Sequence, residues 1–271
     1  MIRPLLAALV LPLVPYMPAV HAVENLELAP IGTSVTGSFE LGGRSFPLPA
    51  GRFQLAARTI NEMPRRGGPL ATSRITVGHV VLVQIQPPRL IAAVHARTTL
   101  KADSHRFNWT GQPCTKEDTL YRSDLTGSHG EDENCLLVDH SVLLGPKAQG
   151  IWKDAATWLA EQKVQLPVPV AITAHVTRFQ QSRLVAASYA FNPRMYGCDA
   201  PMSRSWKESP WHKDSIEADP QRVRFVDSVT EWGKVVQGHF DALIAGRESR
   251  VENGPAIHSC RAGQVTLSGT P

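Results

Sequence analysis

The sequence predicts an α+β fold, in which a mainly antiparallel β-sheet built from hairpins packs against C-terminal amphipathic helices. Runs rich in β-branched and apolar residues, joined by turn residues, dominate the first two thirds of the chain. Helical patterns at residues 150–163, 209–218 and 219–246 gather toward the C-terminal end. Segregation of this kind indicates α+β rather than alternating βαβ units. We find no repeat or low-complexity tract, and we expect one domain over residues 23–271.

Residues 1–22 have the layout of a secretory signal peptide. Arg3 gives the start a positive charge, and residues 5–14 form an almost unbroken apolar run. Two prolines and small residues follow, which favours cleavage after Ala22. The run is shorter than the roughly 20 residues that span a membrane, although an uncleaved anchor is the alternative. We therefore expect a periplasmic or secreted protein with no transmembrane span after signal cleavage.

Most of the predicted strands come in hairpins. Turn residues at 42–43, 87–88 and 180–182 join the members of three such pairs. The sequence P-L-P-A-G at residues 47–51 is expected to interrupt the first hairpin. The expected strands lie at residues 35–41, 44–48, 52–60, 75–86, 89–98, 120–122, 135–144, 168–179, 183–191 and 264–267.

Residues 219–246 form the most clearly defined helix. An Asp-Pro pair at 219–220 supplies an N-cap and a first-turn proline, and Gly246 supplies a C-terminal stop. The apolar residues fall within an arc of roughly 120°, so they must be buried against the sheet. Because Gly233 lies on this arc, we expect the sheet to approach closely there through the hairpin at 168–191. The arc contains Phe225, Val226, Val229, Trp232, Val236, Phe240, Leu243 and Ile244.

All four cysteines lie beyond the signal peptide, and an even number in an exported chain favours two disulfides. Three pairings are possible. We favour Cys114–Cys135, which closes a polar loop, and Cys198–Cys260, which ties the C-terminal tail to the body. Metal ligation is the alternative, but there is no C-x-x-C and the spacings match no zinc pattern. We expect no metal site and no cofactor.

Charge and motifs exclude several classes of function. The formal charge of +4 falls to +3 once Arg3 leaves with the signal, and this small surplus does not indicate a nucleic-acid-binding protein. The signatures of P-loop, Rossmann, α/β-hydrolase, zinc-protease and EF-hand proteins are missing. Enzymatic activity stays open, because catalytic groups can be assembled by geometry without a fixed spacing.

The loop between Cys114 and Cys135 is the first candidate site, because histidine and carboxylate residues are concentrated there. His129 and Glu131 lie within it, and His140 follows the second cysteine. These residues are candidates for acid–base catalysis or for binding a divalent cation. The glycines and consecutive charges of the loop favour the alternative, a solvated acidic surface.

Charge is distributed unevenly along the chain. Residues 44–106 hold ten Arg and Lys against two acids, whereas residues 117–139 hold seven acids against one Arg. Arg65, Arg66 and Arg89 are therefore candidates for binding an anionic surface, such as lipid headgroups, a polysaccharide or a partner protein. We favour the alternative that the basic hairpins and the acidic loop face each other within the fold.

The turn that contains Trp206, Trp211 and His212 is the remaining candidate binding surface. Exposed tryptophans can stack on sugar rings or anchor at a membrane interface. Packing between helix and sheet is the commoner role of a tryptophan. It is the role that we expect for Trp152 and Trp232.

Three other histidines lie on predicted strands. His79 and His95 lie in one hairpin and could approach each other across it, which hints at proton transfer or metal binding but is more typical of a structural pair. His175 alternates with apolar residues and is expected to point away from the apolar face of its strand. The sequence Asp-His-Ser at residues 139–141 resembles a catalytic triad only in composition, because neighbouring strand residues point to opposite faces.

These features favour an exported, non-enzymatic binding or envelope-associated protein. The expected partner is an anionic envelope component or another protein, bound through the basic hairpins and the turn at 206–212. The alternative is a hydrolase of an envelope polymer, with His129 or His140 and loop acids in acid–base roles. Convergence of those side chains in a cleft favours the hydrolase, and their separation favours the binding protein. A structural partner of another envelope protein is a third alternative.

Overall fold

The computed structural model describes residues 24–64, 74–101, 113–203, 205–251 and 254–261. The strands are β1 (Glu24–Asn25), β2 (Ser34–Leu41), β3 (Arg44–Pro64), β4 (Arg74–Gln86), β5 (Arg89–Lys101), β6 (Tyr121–Asp124), β7 (Asp132–Leu143), β8 (Val168–Gln180) and β9 (Arg183–Phe191). The α-helices are α1 (Ile151–Glu161) and α2 (Pro220–Ile244), and 3₁₀ turns occur at Pro113–Thr115, Pro193–Tyr196 and Ile216–Ala218.

All of these strands belong to one nine-stranded sheet, in the order β1-β2-β3-β4-β5-β9-β8-β7-β6. Neighbouring strands pair antiparallel, apart from β1, which pairs parallel with β2. This confirms the predicted α+β fold, with an antiparallel sheet built from hairpins and a C-terminal helix packed on it. Within the described residues, neither helix combines the length and the apolar composition that crossing a membrane requires.

The predicted interruption in the first hairpin is a wide bulge within the continuous strand β3. Thr36 of β2 pairs with Arg52. Two residues later, Ser38 pairs with Pro47, so residues 48–51 have no partner on β2. The prolines in this stretch lack the N–H that a regular ladder needs, which explains why the pairing skips ahead.

Helix α2 begins and ends where the sequence predicts. The Asp219 carboxylate caps its start by accepting a hydrogen bond of 2.9 Å from the backbone N–H of Gln221. Beyond its end, Gly246 has a φ of 70°, in the left-handed region that commonly follows a helix. The residues of the apolar arc are buried, apart from the half-buried Leu243. Local capping and periodicity therefore define this helix.

Gly233 allows α2 to lie close to the sheet. A Cβ at this position would lie 2.5 Å from Cδ1 of Leu136 and 3.3 Å from Cβ of Ala174. Ala174 belongs to β8, within the predicted hairpin, and Leu136 belongs to β7. The predicted close approach is confirmed, and it involves β7 as well.

Strands from both sides of the sheet contact α2, so the sheet curves around the helix. Phe46 of β3 packs edge-on against Phe240, with ring centroids 5.4 Å apart. On the other side, the Lys234 ammonium lies 5.2 Å from the centre of the Tyr121 ring, next to the start of β6. Helix α2 therefore fills the inner face of the sheet.

The opposite, outer face of the sheet is covered at one end by α1. Ile151, Ala155 and Leu159 of this helix are buried. They form a cluster with strand residues that include Val81 and Ala93. The helix predicted at 150–163 is thus confirmed, and its apolar side packs on the sheet.

Residues 209–215 form a series of turns where the sequence predicts a helix. Hydrogen bonds of 2.9 Å run from the N–H of His212 to the carbonyl of Ser209, and from the N–H of Ser215 to the carbonyl of His212. Only Ile216–Ala218 continues as a 3₁₀ turn. The segment ends at the cap of α2, and it is too short to offset the cost of nucleating a separate helix.

Both predicted disulfides are present, and all four cysteines are used. The Cys114–Cys135 bond joins the first 3₁₀ turn to β7, and the Cys198–Cys260 bond joins the tail to the segment after β9. Disulfides of this kind are typical of exported proteins. The predicted signal peptide, at residues 1–22, and the last predicted strand, at 264–267, lie outside the described residues.

Candidate functional site

The residues of the predicted acid–base site do not converge. His129 Nδ1 lies 3.3 Å from Glu133 Oε2 in the loop before β7, and the Glu131 side chain is exposed. His140 lies near the other end of β7. At a rise of about 3.3 Å per residue, it is roughly 30 Å from Glu131. His129, Glu131 and His140 therefore do not share one site.

Four of the seven acidic side chains at residues 117–139 are paired with cations close to them. β6 and β7 form one edge of the sheet, whereas β3 lies near the other edge. Arg97 of the basic hairpins and Asp139 both act on the pKa of His175, so compensation between the basic hairpins and the acidic loop stays a prediction. Among the described residues, no group of three His, Cys, Asp or Glu side chains is placed to hold a metal ion. The pairs are Asp118 with Lys213, Asp124 with Arg122, Asp132 with Arg178, and Asp139 with Lys116.

The basic residues of the hairpins are dispersed along the strands. Arg89 is exposed at the turn between β4 and β5. At the far end of β5, the Arg44 guanidinium donates a hydrogen bond of 2.9 Å to Thr98 Oγ1. Arg65 and Arg66 lie outside the described residues. Of the three candidate arginines Arg65, Arg66 and Arg89, the structure thus describes Arg89 alone.

Trp206 and His140 meet beside the start of α2. Their rings stack, with centroids 4.5 Å apart. His212 contacts the same indole edge-on at 4.8 Å, and the indole N–H donates a hydrogen bond of 3.1 Å to Asp118 Oδ2. The sequence suggested His140 for catalysis and Trp206 and His212 for binding, and in the structure these three residues belong to one group. We call it the Trp206 cluster: His140, Trp206, His212 and Asp118, with Lys213 paired to the last.

The polar groups around the indole fix its orientation. Lys213 Nζ lies 3.0 Å from Asp118 Oδ1, and this hydrogen bond lowers the pKa of Asp118. Asp118, which accepts the hydrogen bond from the indole N–H, is therefore ionised at neutral pH. Burial lowers the pKa of His140, so the ring stacked on Trp206 is a neutral imidazole at neutral pH. The Ser209 hydroxyl lies 3.4 Å from its Nε2 atom.

Trp211 belongs to the core, which corrects its assignment to a binding surface. Its side chain is completely buried, with a relative exposure of 0%. The ring packs edge-on against Phe225, at 5.8 Å between centroids, and under the Arg222 guanidinium at 5.7 Å. His212 is also buried, so it acts through its contact with Trp206.

Trp206 differs from the other four tryptophans of the described residues. Trp211 and Trp232 lie in the main core, and Trp152 and Trp158 pack against the cluster around α1. The Trp206 ring is partly exposed, and it contacts two imidazoles and a carboxylate. Polar groups therefore set its position, as is typical of an aromatic side chain at a binding surface.

A second polar group crosses the outer face of the sheet. His79 Nδ1 lies 3.3 Å from His95 Nε2, as the facing strands predict. His95 is opposite Ser188 in the β5–β9 ladder, and Ser188 is opposite His175 in the β8–β9 ladder. Ser188 Oγ lies 2.8 Å from His175 Nδ1. We call these four residues the histidine row. Because the order β5-β9-β8 is not visible in the sequence, only the first pair could be foreseen.

Burial keeps the imidazoles of the histidine row neutral. It is the largest cause that lowers the pKa of His79 to about 4, of His95 to about 3 and of His175 to about 4. The Arg97 guanidinium acts in the same direction on all three imidazoles. Each neutral imidazole offers one hydrogen-bond donor and one acceptor.

Ser188 is poorly placed to act as a nucleophile, although His175 and Asp139 lie on the next two strands. β9 runs between β5 and β8, and its backbone pairs with both neighbours around Ser188. No pair of N–H groups is left there to stabilise an oxyanion. Asp139 is paired with Lys116, and an imidazole whose pKa is about 4 is a weak base. The row is therefore better suited to binding than to acyl transfer.

Comparison of this chain with protein-family models, curated proteins and solved structures gives no match. The Trp206 cluster and the histidine row are therefore the two features of the chain that suggest a function.

Proposed function

We propose that this chain is an exported protein that binds a glycan of the cell envelope without hydrolysing it, with Trp206 as the platform for a sugar ring. The setting of Trp206 carries this proposal. Its partly exposed indole is stacked on His140 at 4.5 Å and is hydrogen-bonded to Asp118 at 3.1 Å. A ring that is held before the ligand arrives loses little conformational entropy on binding.

The chemistry around the indole suits a sugar. A sugar ring has an apolar face of C–H groups, which can pack on an indole, and an edge of hydroxyl groups. Asp118 and Lys213 lie next to the indole N–H and provide acceptors and donors for those hydroxyls. Aromatic side chains that anchor proteins to membranes belong instead to a belt at the lipid interface. The polar neighbours of Trp206 therefore favour a glycan over a lipid.

Export is supported by two independent features of the chain. Residues 1–22 have the layout of a signal peptide. The two disulfides require an oxidising compartment to form and persist. A protein with these features meets envelope polymers directly, so these polymers are available as ligands of a partly exposed aromatic side chain.

Binding without hydrolysis is favoured by the placement of the carboxylates. Most glycosidases use two carboxyl groups on opposite sides of the scissile bond, about 5–10 Å apart. Beside Trp206, Asp118 is paired with Lys213. His129 and Glu131, the other residues of the hydrolase hypothesis, lie near the opposite end of β7. We therefore place the hydrolase second.

Co-sedimentation with purified peptidoglycan tests the proposal. We expect the unmodified protein to bind this polymer and Trp206→Ala to bind at least about tenfold more weakly, since about 1.4 kcal/mol of lost stacking corresponds to that factor. Trp158→Ala is the matched control, because it removes another partly exposed indole at α1. It should retain full binding.

Three outcomes would contradict the proposal. One is equal binding by the unmodified protein and Trp206→Ala. Another is retention by vesicles of anionic phospholipid but not by peptidoglycan, which would identify a lipid ligand. Release of reducing sugars from the polymer would show hydrolysis and would support the second hypothesis.

A further inference from the structure

We call the outer surface of β9 between His95 and His175 the trough, because the side chains there are small. On the outer face, β9 carries the small side chains of Ser188 and Ala190, and the strands on either side carry His95 and His175. Neighbouring strands lie about 4.8 Å apart, so the two imidazoles start from backbones roughly 10 Å apart. A small ligand could therefore lie over β9 between them.

Thr173 adds a hydroxyl group that has no partner in the part of the chain described here. It pairs with Ala190 in the β8–β9 ladder and lies on the same face of β8 as His175. The residue is only 3% exposed, and its Oγ1 atom makes no hydrogen bond. Buried hydroxyl groups without a partner are uncommon in folded proteins. This one therefore points to a polar ligand.

Hydrogen-bond donors remain free in the trough whichever tautomer each imidazole adopts. If Ser188 donates its proton to His175 Nδ1, then the Nε2–H of His175 is available to a ligand. If the imidazole donates instead, then the Ser188 hydroxyl is available. The same reasoning applies to His79 and His95, one of which must donate to the other. Each pair thus offers at least one N–H or O–H to a ligand.

A cation acts on all three imidazoles of the histidine row. The Arg97 guanidinium lowers the pKa of all three imidazoles, and the Lys116 ammonium lowers that of His175. Asp139 has the largest charge effect on His175 and acts in the opposite direction, and it is paired with Lys116. Around His79 and His95 the charged side chain that acts is the Arg97 cation, and donors next to a cation favour an anionic ligand.

We infer that the trough binds a small oxyanion, such as phosphate or a carboxylate, between His95 and His175. The hydroxyl group of Thr173 and the donor that each hydrogen-bonded pair leaves free donate to its oxygen atoms. The site lies on the outer face, whereas the Trp206 cluster involves the inner face and the start of α2. The inference is therefore independent of the proposed glycan function.

Binding of an oxyanion is coupled to protons in this site. An anion next to a neutral imidazole favours the protonated form, so binding takes up protons and tightens as the pH falls from 7 toward 5.5. The titratable groups facing the trough are His79 of β4, Arg97 of β5, Asp139 of β7 and Lys116 of the preceding loop. Helix α1 contributes the Trp152 ring, 5.3 Å from His95.

Isothermal titration calorimetry of the full chain with inorganic phosphate and with acetate tests the inference. We expect at least one of the two anions to bind, more tightly at pH 5.5 than at pH 7, with proton uptake shown by the dependence of the heat on the buffer. Ser188→Ala and Thr173→Val should each weaken binding about tenfold, as expected for a lost hydrogen bond to a charged group. Trp206→Ala should bind the anion normally, which separates this site from the glycan site.

Absence of heat with both anions at both pH values would overturn the inference, as would equal affinity in Thr173→Val and the unmodified protein. Nitrogen-15 spectra of the histidine side chains give a second readout. We expect the anion to shift the His175 and His95 signals and to leave that of His258 unchanged. Equal shifts in all histidines would show general ionic effects and would also overturn it.

Discussion

The indole of Trp206 stacks on the imidazole of His140, with ring centroids 4.5 Å and planes 23° apart. The contact joins strand β7 to the turn that precedes α2, two segments far apart in the sequence. It also brings together a residue that the sequence suggested for catalysis, His140, and one that it suggested for binding, Trp206. Because the imidazole is held neutral by burial, it supports the indole as a flat, uncharged surface.

Asp118 should be a positioning residue for this indole. We expect Asp118→Ala to weaken peptidoglycan binding several-fold, because the indole N–H loses its acceptor at 3.1 Å. The melting temperature should hardly change, since the carboxylate is exposed to solvent. Glu117→Ala removes the same charge one residue away and should bind normally. Equal binding by both variants would show that Asp118 does not hold Trp206.

Gly233 should tolerate large side chains poorly. Leu136 and Ala174 would lie 2.5 Å and 3.3 Å from a Cβ at this position. We therefore expect Gly233→Leu to lower the free energy of unfolding by about 1–3 kcal/mol. Gly238 lies on the same helix with no atom within 4 Å of its Cβ position, so Gly238→Ala should stabilise by up to about 1 kcal/mol. Urea denaturation of both variants checks this, and similar effects at the two sites would contradict it.

The two disulfides should differ in their contributions. Cys198–Cys260 spans 62 residues and Cys114–Cys135 spans 21. Loop-closure entropy then gives about 4 and about 3 kcal/mol of stabilisation, respectively. We expect the paired Cys→Ala variants to follow this order in chemical denaturation.

Glycan binding should be affected more by the loss of Cys114–Cys135 than by the loss of Cys198–Cys260. Asp118 lies in the loop closed by Cys114–Cys135, so only the loss of that bond should weaken glycan binding. A binding defect confined to the variant lacking Cys198–Cys260 would contradict the assignment.

The folded protein should lose stability as the pH falls below about 6.5. Histidine has an ordinary pKa of 6.5, whereas His79, His95 and His175 have pKa values of about 4, 3 and 4 in the folded state. Between these values the unfolded chain binds protons that the folded chain does not, so stability is present above pH 6.5 and is lost toward pH 4. Each histidine that is protonated only in the unfolded chain lowers the free energy of unfolding by about 1.4 kcal/mol per pH unit in this range.

Urea denaturation between pH 7 and pH 4.5 measures that slope. His95→Gln removes one of the three groups, so its stability should depend less steeply on pH. An unchanged slope in this variant would show that His95 does not titrate as the structure requires.

Features that depend on neighbouring residues could be predicted from the sequence. The cap at Asp219, the stop at Gly246 and the close approach at Gly233 all follow from local spacing. Both disulfides could be anticipated because only three pairings exist. The one misassigned helix, at 209–218, has a good start signal but too little length before α2 begins.

Features that depend on strand order could not be predicted. Ser188 joins the histidines only because β9 lies between β5 and β8. Trp206 reaches His140 only because the turn before α2 is folded against β7. The residues of both sites can be read from the sequence, but the order of the strands that brings them together cannot.

The indole N–H signals of nitrogen-15-labelled protein show whether the Trp206 ring contacts a glycan. Soluble peptidoglycan fragments should progressively shift the Trp206 signal, identified by its loss in Trp206→Phe. The signals of Trp211 and Trp232, which are buried in the core, should stay in place. A Trp206 signal that does not move while the fragments shift that of another tryptophan would contradict the account.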